Sequence, residues 1–341
     1  MWYDRENARR AGNSIKKVVR RDKVSVAEEY RKIYNTYMYC DLEQEIAVYK
    51  QEKGINNYQA LSHNCEQKCT DNCEHQCHKS LGEIMRKNLV FYCYGEEEVV
   101  NNFNNGLFSD LENATKAAYK LRLPQRLPKQ DGLLGEILLD AIIQTLIPES
   151  YKLAVRTIFR QDDKNEIKGY DLTYFTNTNG KITLWLGQAK LGDKQYCKNG
   201  IVDDLEKKYT SLYMAKQIYF LADKPVGITQ EGKEIANLLN SLNMLNINTD
   251  DENRAQQLIQ FLAKQKINIC IPCLLAYGKA EVYADITRLQ DKMKQELTWI
   301  KKNFEKNYEF TGIEPQLIFI IFPIEDIEAL RGEEGFYAGL C

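Results

Sequence analysis

The chain has 341 residues, 44% of them hydrophobic and 28% charged, which excludes a disordered or fibrous protein and allows one large domain or two modest ones. A formal net charge of -2 argues against coating of nucleic acid by bulk charge, and no run of about 18 apolar residues could span a bilayer. The N-terminal charges are not followed by an apolar stretch, so no secretory signal is expected. Ten cysteines then point to the reducing cytoplasm, where clustered thiols serve metals or redox chemistry more than disulfides.

In chain order, residues 1–23 carry Arg5, Arg9, Arg10, Lys16, Lys17, Arg20, Arg21 and Lys23, a local basic patch that could hold phosphates or simply form a solvated helix. Residues 1–60 read as helical, with apolar residues of VSVAEEYRKIYNTYMYCDLEQEIAVYKQ at mixed spacings of three and four. A polar Cys/His tract follows, and NLVFYCY (88–94) reads as a short buried strand. GLFSDLENATKAAYKLRL reads as a helix capped by Ser109 or Asp110, and LPQRLPKQDG as a linker. The expected organisation is a helical N-terminal region over 1–87, a connecting strand and helix over 88–130, and an α/β domain over 131–341.

Within that last unit, DGLLGEILLDAIIQTLIPES predicts a helix with Asp131 as its N-cap, and YKLAVRTIFR (151–160) alternates as a strand. GYDLTYFT and KITLWLGQAK form a hairpin around Asn179-Gly180, the strongest short-range hairpin signal. GIVDDLEKKYTSLYMAKQIYFLA reads as one helix, KINICIPCLLAY (266–277) as a buried strand, residues 280–307 as a long charged helix, and QLIFIIFPI (316–324) as another buried strand.

The hairpin carries the chemistry. Side chains alternate along a strand, so Ile182, Leu184, Leu186, Gln188 and Lys190 share a face that is apolar until its last two members. Asp171, about nine residues before the turn, lies opposite the region of Gln188 and Lys190. Gly187 and Ala189 occupy the other face, small enough for a helix to approach. Glu136 and Asp140 lie four apart, polar on an apolar helix. Carboxylate and carbonyl oxygens suit Mg²⁺, and a lysine beside it can hold or deprotonate the attacking water. As ordinary solvated strand ends and a wet helix face, the same residues carry no chemistry.

This constellation resembles the PD-(D/E)XK nuclease superfamily, whose core is a helix, three strands, a helix and a strand. The resemblance implies Glu136, Asp171 and Gln188 as ligands of Mg²⁺ or Mn²⁺ and Lys190 as the water-activating group. Gln188 departs from the usual acid, as in restriction endonucleases of the Mrr type, and removes one negative charge from the site. LLGEILLDAII, GYDLTYF, LWLGQAKLGD, IPCLLAY and LIFIIFPI further resemble, in order and spacing, landmarks of the nuclease subunit (HamA) of Hachiman anti-phage systems. That family implies DNA as substrate and a helicase subunit as partner. Lys194, Lys198 and the basic N-terminus are candidate phosphate contacts, which predicts salt-sensitive binding. The rival reading is a catalytically silent nucleic-acid-binding or scaffold subunit, with Gln188 marking lost chemistry.

HNCEQKCTDNCEHQCH (63–78) holds all three histidines, His63, His75 and His78, with Cys65, Cys69, Cys73 and Cys77 every fourth residue. Thiolate and imidazole together favour Zn²⁺ bound by a subset of these residues, with an iron–sulfur cluster as the rival and free thiols on a polar helix as the plain alternative. A structural role is expected of the tract. Cys270 and Cys273 (CIPC) read as two buried small hydrophobes inside a strand.

Overall fold

The computed structural model describes residues 24–39, 46–53, 56–63, 77–123, 132–159, 169–223, 225–245, 250–304, 308, 310 and 312–340. Seven strands form one mixed sheet: β1 (Ile46–Lys53), β2 (Asn56–His63), β3 (Tyr151–Lys152), β4 (Leu172–Thr178), β5 (Lys181–Gly192), β6 (Asn268–Gly278) and β7 (Gln316–Ile324), in the spatial order β1-β2-β7-β6-β5-β4-β3. The centre is parallel, from β2 through β7 and β6 to β5, while β1 and the β4–β3 edge pair antiparallel.

Helices cover both faces. On one lie α1 (Val26–Tyr34), α2 (Cys77–Cys93), α3 (Glu96–Asn104), α4 (Leu111–Arg122), α5 (Leu133–Leu146) and the short α11 (Ile327–Arg331). On the other lie α6 (Lys194–Lys207), α7 (Ser211–Asp223), α8 (Gln230–Leu245), α9 (Asp251–Gln265) and α10 (Leu289–Phe304). A strand covered on both sides must be apolar on both, and β6 is: Cys270, Leu274 and Ala276 enter the first core, while Ile269, Ile271, Cys273 and Leu275 enter the second. Cys270 and Cys273 therefore point to opposite faces, buried with their thiol pKa values pushed up by desolvation, as two small hydrophobes. Among the described residues no helix is long and apolar enough to cross a membrane.

The β4–β5 hairpin has the expected register. Leu172 pairs with Gly187 and Thr178 with Lys181. Asn179 and Gly180 both take positive φ, 54° and 80°, which is the type I′ turn that matches strand twist. Asp110 caps α4 through the Asn113 amide, also as read from the sequence.

Several elements differ from expectation. Residues 46–53 and 56–63 pair as antiparallel β1 and β2 instead of continuing a helix: β2 completes the sheet along β7, and that pairing overrides local helix propensity. The apolar run 88–94 closes helix α2, because a helix buried all round reads the same as a buried strand; Leu89, Val90 and Phe91 are fully buried. Among the described residues 151–159, Tyr151 and Lys152 pair as a strand and residues 156–159 form a 3₁₀ turn. The single helix expected after the hairpin is two, broken at Tyr209-Thr210, where Thr210 Oγ1 accepts the Tyr213 amide hydrogen. The charged helix starts at Leu289, behind two 3₁₀ turns. Asp131 lies outside the described residues, and Gly132 occupies the N-cap of α5.

Candidate active site

Helix α5 packs against the hairpin because its partners there are small. A Cβ on Gly135 would sit 3.5 Å from the Cβ atoms of Ala189 and Leu191, and one on Gly187 would meet Leu139 at 3.0 Å. This close approach brings Glu136, 6% exposed, to the start of β4. Asp171 is fixed there by its backbone and one carboxylate oxygen. Its amide donates to the Gly187 carbonyl at 2.8 Å, and its Oδ2 accepts the Ala189 amide at 2.8 Å.

Between the two acids stands Arg156, which the sequence reading did not single out. Its Nη1 lies 2.9 Å from Asp171 Oδ1 and 3.3 Å from Glu136 Oε2. Burial alone would lower its pKa, but Glu136 and Asp171 outweigh that and raise it, so the guanidinium is charged at any ordinary pH. Tyr92, at the end of α2, donates its hydroxyl to Glu136 Oε2. The sequence gives no signal for Arg156, because the 3₁₀ turn carrying it lies in a stretch that reads as continuous strand.

Asp140, one turn beyond Glu136, is not part of this pair. Its carboxylate accepts from Asn88 at 2.9 Å, Gln144 at 2.7 Å and Tyr174 at 2.6 Å, and is saturated by neutral donors.

Gln188 and Lys190 point toward α6. Gln188 is fully buried; its Nε2 donates to the Gly169 carbonyl and its Oε1 accepts from Lys208 Nζ at 2.8 Å. Its carbonyl is therefore engaged by Lys208, in a register that sets Gln188 opposite Asp171. Lys190 Nζ lies 2.6 Å from Asp204 Oδ2, and Lys208 Nζ 2.9 Å from Asp204 Oδ1. Desolvation would lower the Lys190 pKa, but the nearby Asp171 and the contact with Asp204 prevail and raise it, keeping the ammonium charged. The stem of Lys190 crosses α6 at Gly200, where a Cβ would come within 2.8 Å of Lys190 Cε. Asp204 and Gly200 are further residues the sequence reading missed: an acid in a charged helix reads as solvated, and a mid-helix glycine as a weak point.

The donor chemistry of Glu136 and Asp171 fits a hard divalent ion. Two carboxylate oxygens converge on one cationic nitrogen, and Mg²⁺ accepts a pair of carboxylates while water or phosphate fills its remaining positions. Among the described residues no group of three or more His, Cys, Asp or Glu is gathered for a metal. Of the Cys/His tract, Cys65, Cys69, Cys73 and His75 lie outside the described residues. His63 ends β2, and Cys77 and His78 open α2. The basic residues of 1–23 also lie outside.

Lys194, a candidate phosphate contact, is engaged elsewhere. It pairs with buried Glu296, and its Nζ stands 4.1 Å from the Trp299 ring centroid and 5.0 Å from that of Tyr277. Burial lowers its pKa, only partly offset by Glu296.

None of the curated proteins compared with the chain matches it. The family model described as HamA matches residues 43–339, which takes in β1 through α11 and every residue of the site. The chain belongs to the HamA family, a component of Hachiman defence.

Proposed function

We propose that the chain is the metal-dependent DNA nuclease of a Hachiman defence complex, a cytoplasmic phosphodiester hydrolase with a PD-(D/E)XK core, working with a helicase subunit. The observation that carries this reading is the convergence of Glu136 and Asp171, from two different elements, on one cation position beside charged Lys190. Membership of the HamA family supports the defence context.

In this reading Glu136 and Asp171 hold Mg²⁺ or Mn²⁺. When bound, the ion polarises a phosphoryl oxygen and lowers the pKa of water. Lys190, held charged by Asp171 and Asp204, offers an ammonium to the scissile phosphate or to the attacking water. Gln188 acts from behind the site, holding Lys208 in place against Asp204. Asp204 keeps Lys190 extended over Gly200. The Cys/His tract is proposed to hold Zn²⁺ through a subset of His63, Cys65, Cys69, Cys73, His75, Cys77 and His78, with an iron–sulfur cluster as the rival.

One observation favours a silent scaffold instead: the Gln188 carbonyl accepts from the Lys208 ammonium, a cation that competes with a metal ion for that oxygen. Cleavage of supercoiled and linear plasmid with Mg²⁺ or Mn²⁺, with and without the helicase subunit and its nucleotide, separates the two. Metal-dependent cleavage that is lost in a folded Lys190→Ala variant supports the nuclease. Binding of helicase and DNA with no cleavage under any of these conditions leaves the scaffold.

A further inference from the structure

Arg156 places a single nitrogen within 3.3 Å of both candidate ligand carboxylates. We propose that Arg156 is the resident cation of the site: it holds Glu136 and Asp171 together while no metal is bound, excludes a divalent ion from them, and yields the position when substrate phosphate draws it away. The proposal rests on the nuclease reading and deepens it, by coupling metal binding to DNA binding.

The exclusion is first a matter of space. Mg²⁺ would sit roughly 2.0–2.1 Å from its oxygens, so an ion held between Glu136 and Asp171 would compete for the space that Arg156 Nη1 fills. Both cannot be there. Charge favours the exchange. The side chains of Glu136 and Asp171 are 7% and 13% exposed, and departure of the guanidinium takes a positive charge from between two desolvated carboxylates. The position therefore passes from one cation to the other, and is costly to leave empty.

Arg156 is also built to leave. It opens a 3₁₀ turn of four residues, beyond the last backbone hydrogen bond of that segment to β4, from the Leu153 amide to the Thr173 carbonyl. Its side chain is 18% exposed, so one side remains within reach of solvent and substrate. A guanidinium is the side chain best matched to a phosphodiester, whose oxygens it can take in a fork. Tyr92 and the Ala189 amide stay on the carboxylates when the guanidinium goes, which keeps the acids aimed at the same point. Reciprocity then requires that DNA tighten metal binding as much as metal tightens DNA binding.

The test is calorimetric titration of Mn²⁺ into the full chain, as wild type, Arg156→Gln and Arg156→Met, each folded by circular dichroism. Every titration is run with and without a phosphorothioate duplex that resists cleavage, and Glu136→Gln serves as the control for the site. Without DNA the two neutral variants are expected to bind Mn²⁺ tighter than wild type by about tenfold, within the usual range of coupling between sites. The duplex should tighten Mn²⁺ binding in wild type and do so far less in the variants. A wild type that binds Mn²⁺ through Glu136, beside folded Arg156 variants that bind it no tighter, overturns the proposal and leaves the nuclease reading standing. Absence of Mn²⁺ binding sensitive to Glu136 in every form overturns both. If the variants do not fold, ¹⁵N-arginine spectra of wild type during Mg²⁺ titration decide: the Arg156 guanidinium signal must move as Mg²⁺ saturates the site, and an unmoved signal overturns the proposal.

Discussion

Glu136 and Asp140 sit one turn apart on α5, both buried, yet they are held in different ways. Asp140 receives three neutral donors, from Asn88, Gln144 and Tyr174, each from a different position on two helices and a strand. Glu136 accepts the Tyr92 hydroxyl and shares a guanidinium with Asp171. Neutral donors satisfy a carboxylate without competing for its charge, and they tie it to the fold. A guanidinium satisfies it with something another cation can replace. The same residue chemistry thus yields a structural acid in one place and an exchangeable one a turn away.

The largest expected effect breaks the comparison at the structural end. Asp140→Ala strips the acceptor from three buried donors and should destabilise the chain by about 4 kcal/mol. Glu136→Gln should change stability much less, because the hydroxyl of Tyr92 still finds an oxygen, yet should lower cleavage by at least the roughly hundredfold that loss of an outer-shell partner can cost. Denaturant melts and cleavage rates on both variants decide it. If Glu136→Gln proved the more destabilising, with cleavage intact, Glu136 would be the structural acid and the assignment would fail.

A third buried carboxylate sharpens the contrast. Glu296 on α10 takes Lys194, Lys279 and Tyr277, and here the cations are not free to leave: Lys194 is pinned against the faces of Trp299 and Tyr277. Burial would raise the Glu296 pKa, but the hydrogen bonds from Lys194, Lys279 and Tyr277 outweigh it and lower it below the ordinary 4.5. A depressed acid stabilises the fold above its unfolded pKa and loses that contribution as pH falls through the folded one. Glu296→Gln should therefore cost roughly 3 kcal/mol at pH 7, as loss of one member of a buried ion-pair group does. The gap from wild type should close as pH is taken below 4.5, the ordinary carboxylate value. A gap that is independent of pH would show that charge is not what Glu296 contributes.

These distinctions were unevenly legible in the sequence. The hairpin was readable in full, since Asn179-Gly180 admits positive φ at both central positions and so fixes which residues face Asp171. The small side chains of Gly187 and Ala189 announced the helix that packs there. What a strand pattern cannot carry is the partner arriving from elsewhere. Arg156 comes from a 3₁₀ turn, Tyr92 from a helix end that reads as a strand, and Asp204 from a helix face that reads as solvated. Gln188 shows the same limit in reverse. Its place beside Lys190 was legible, but Lys208, which takes its carbonyl, was not. Periodicity reports which face a side chain is on, and the counter-charge it meets is a tertiary fact.

The smallest expected effect concerns the hydroxyl that holds Glu136 when Arg156 does not. Tyr92 lies in the last turn of α2, where the carbonyls of Phe91, Tyr92 and, just past the helix, Tyr94 are bound by the buried ammonium of Lys152, so the ring is anchored independently of the carboxylate it serves. Tyr92→Phe keeps the ring and removes one donor, which should cost about 1 kcal/mol of stability. If the site is a metal site, the same change should weaken Mn²⁺ binding by about tenfold, because a ligand carboxylate that has lost its outer hydrogen bond is free to rotate away from the ion. Stability lost with Mn²⁺ affinity unchanged would make Tyr92 a core residue that happens to touch Glu136. Affinity lost in step with that of Glu136→Gln would make α2 part of the machinery that aims the acids, and would extend the site beyond the hairpin into the helical layer that covers it.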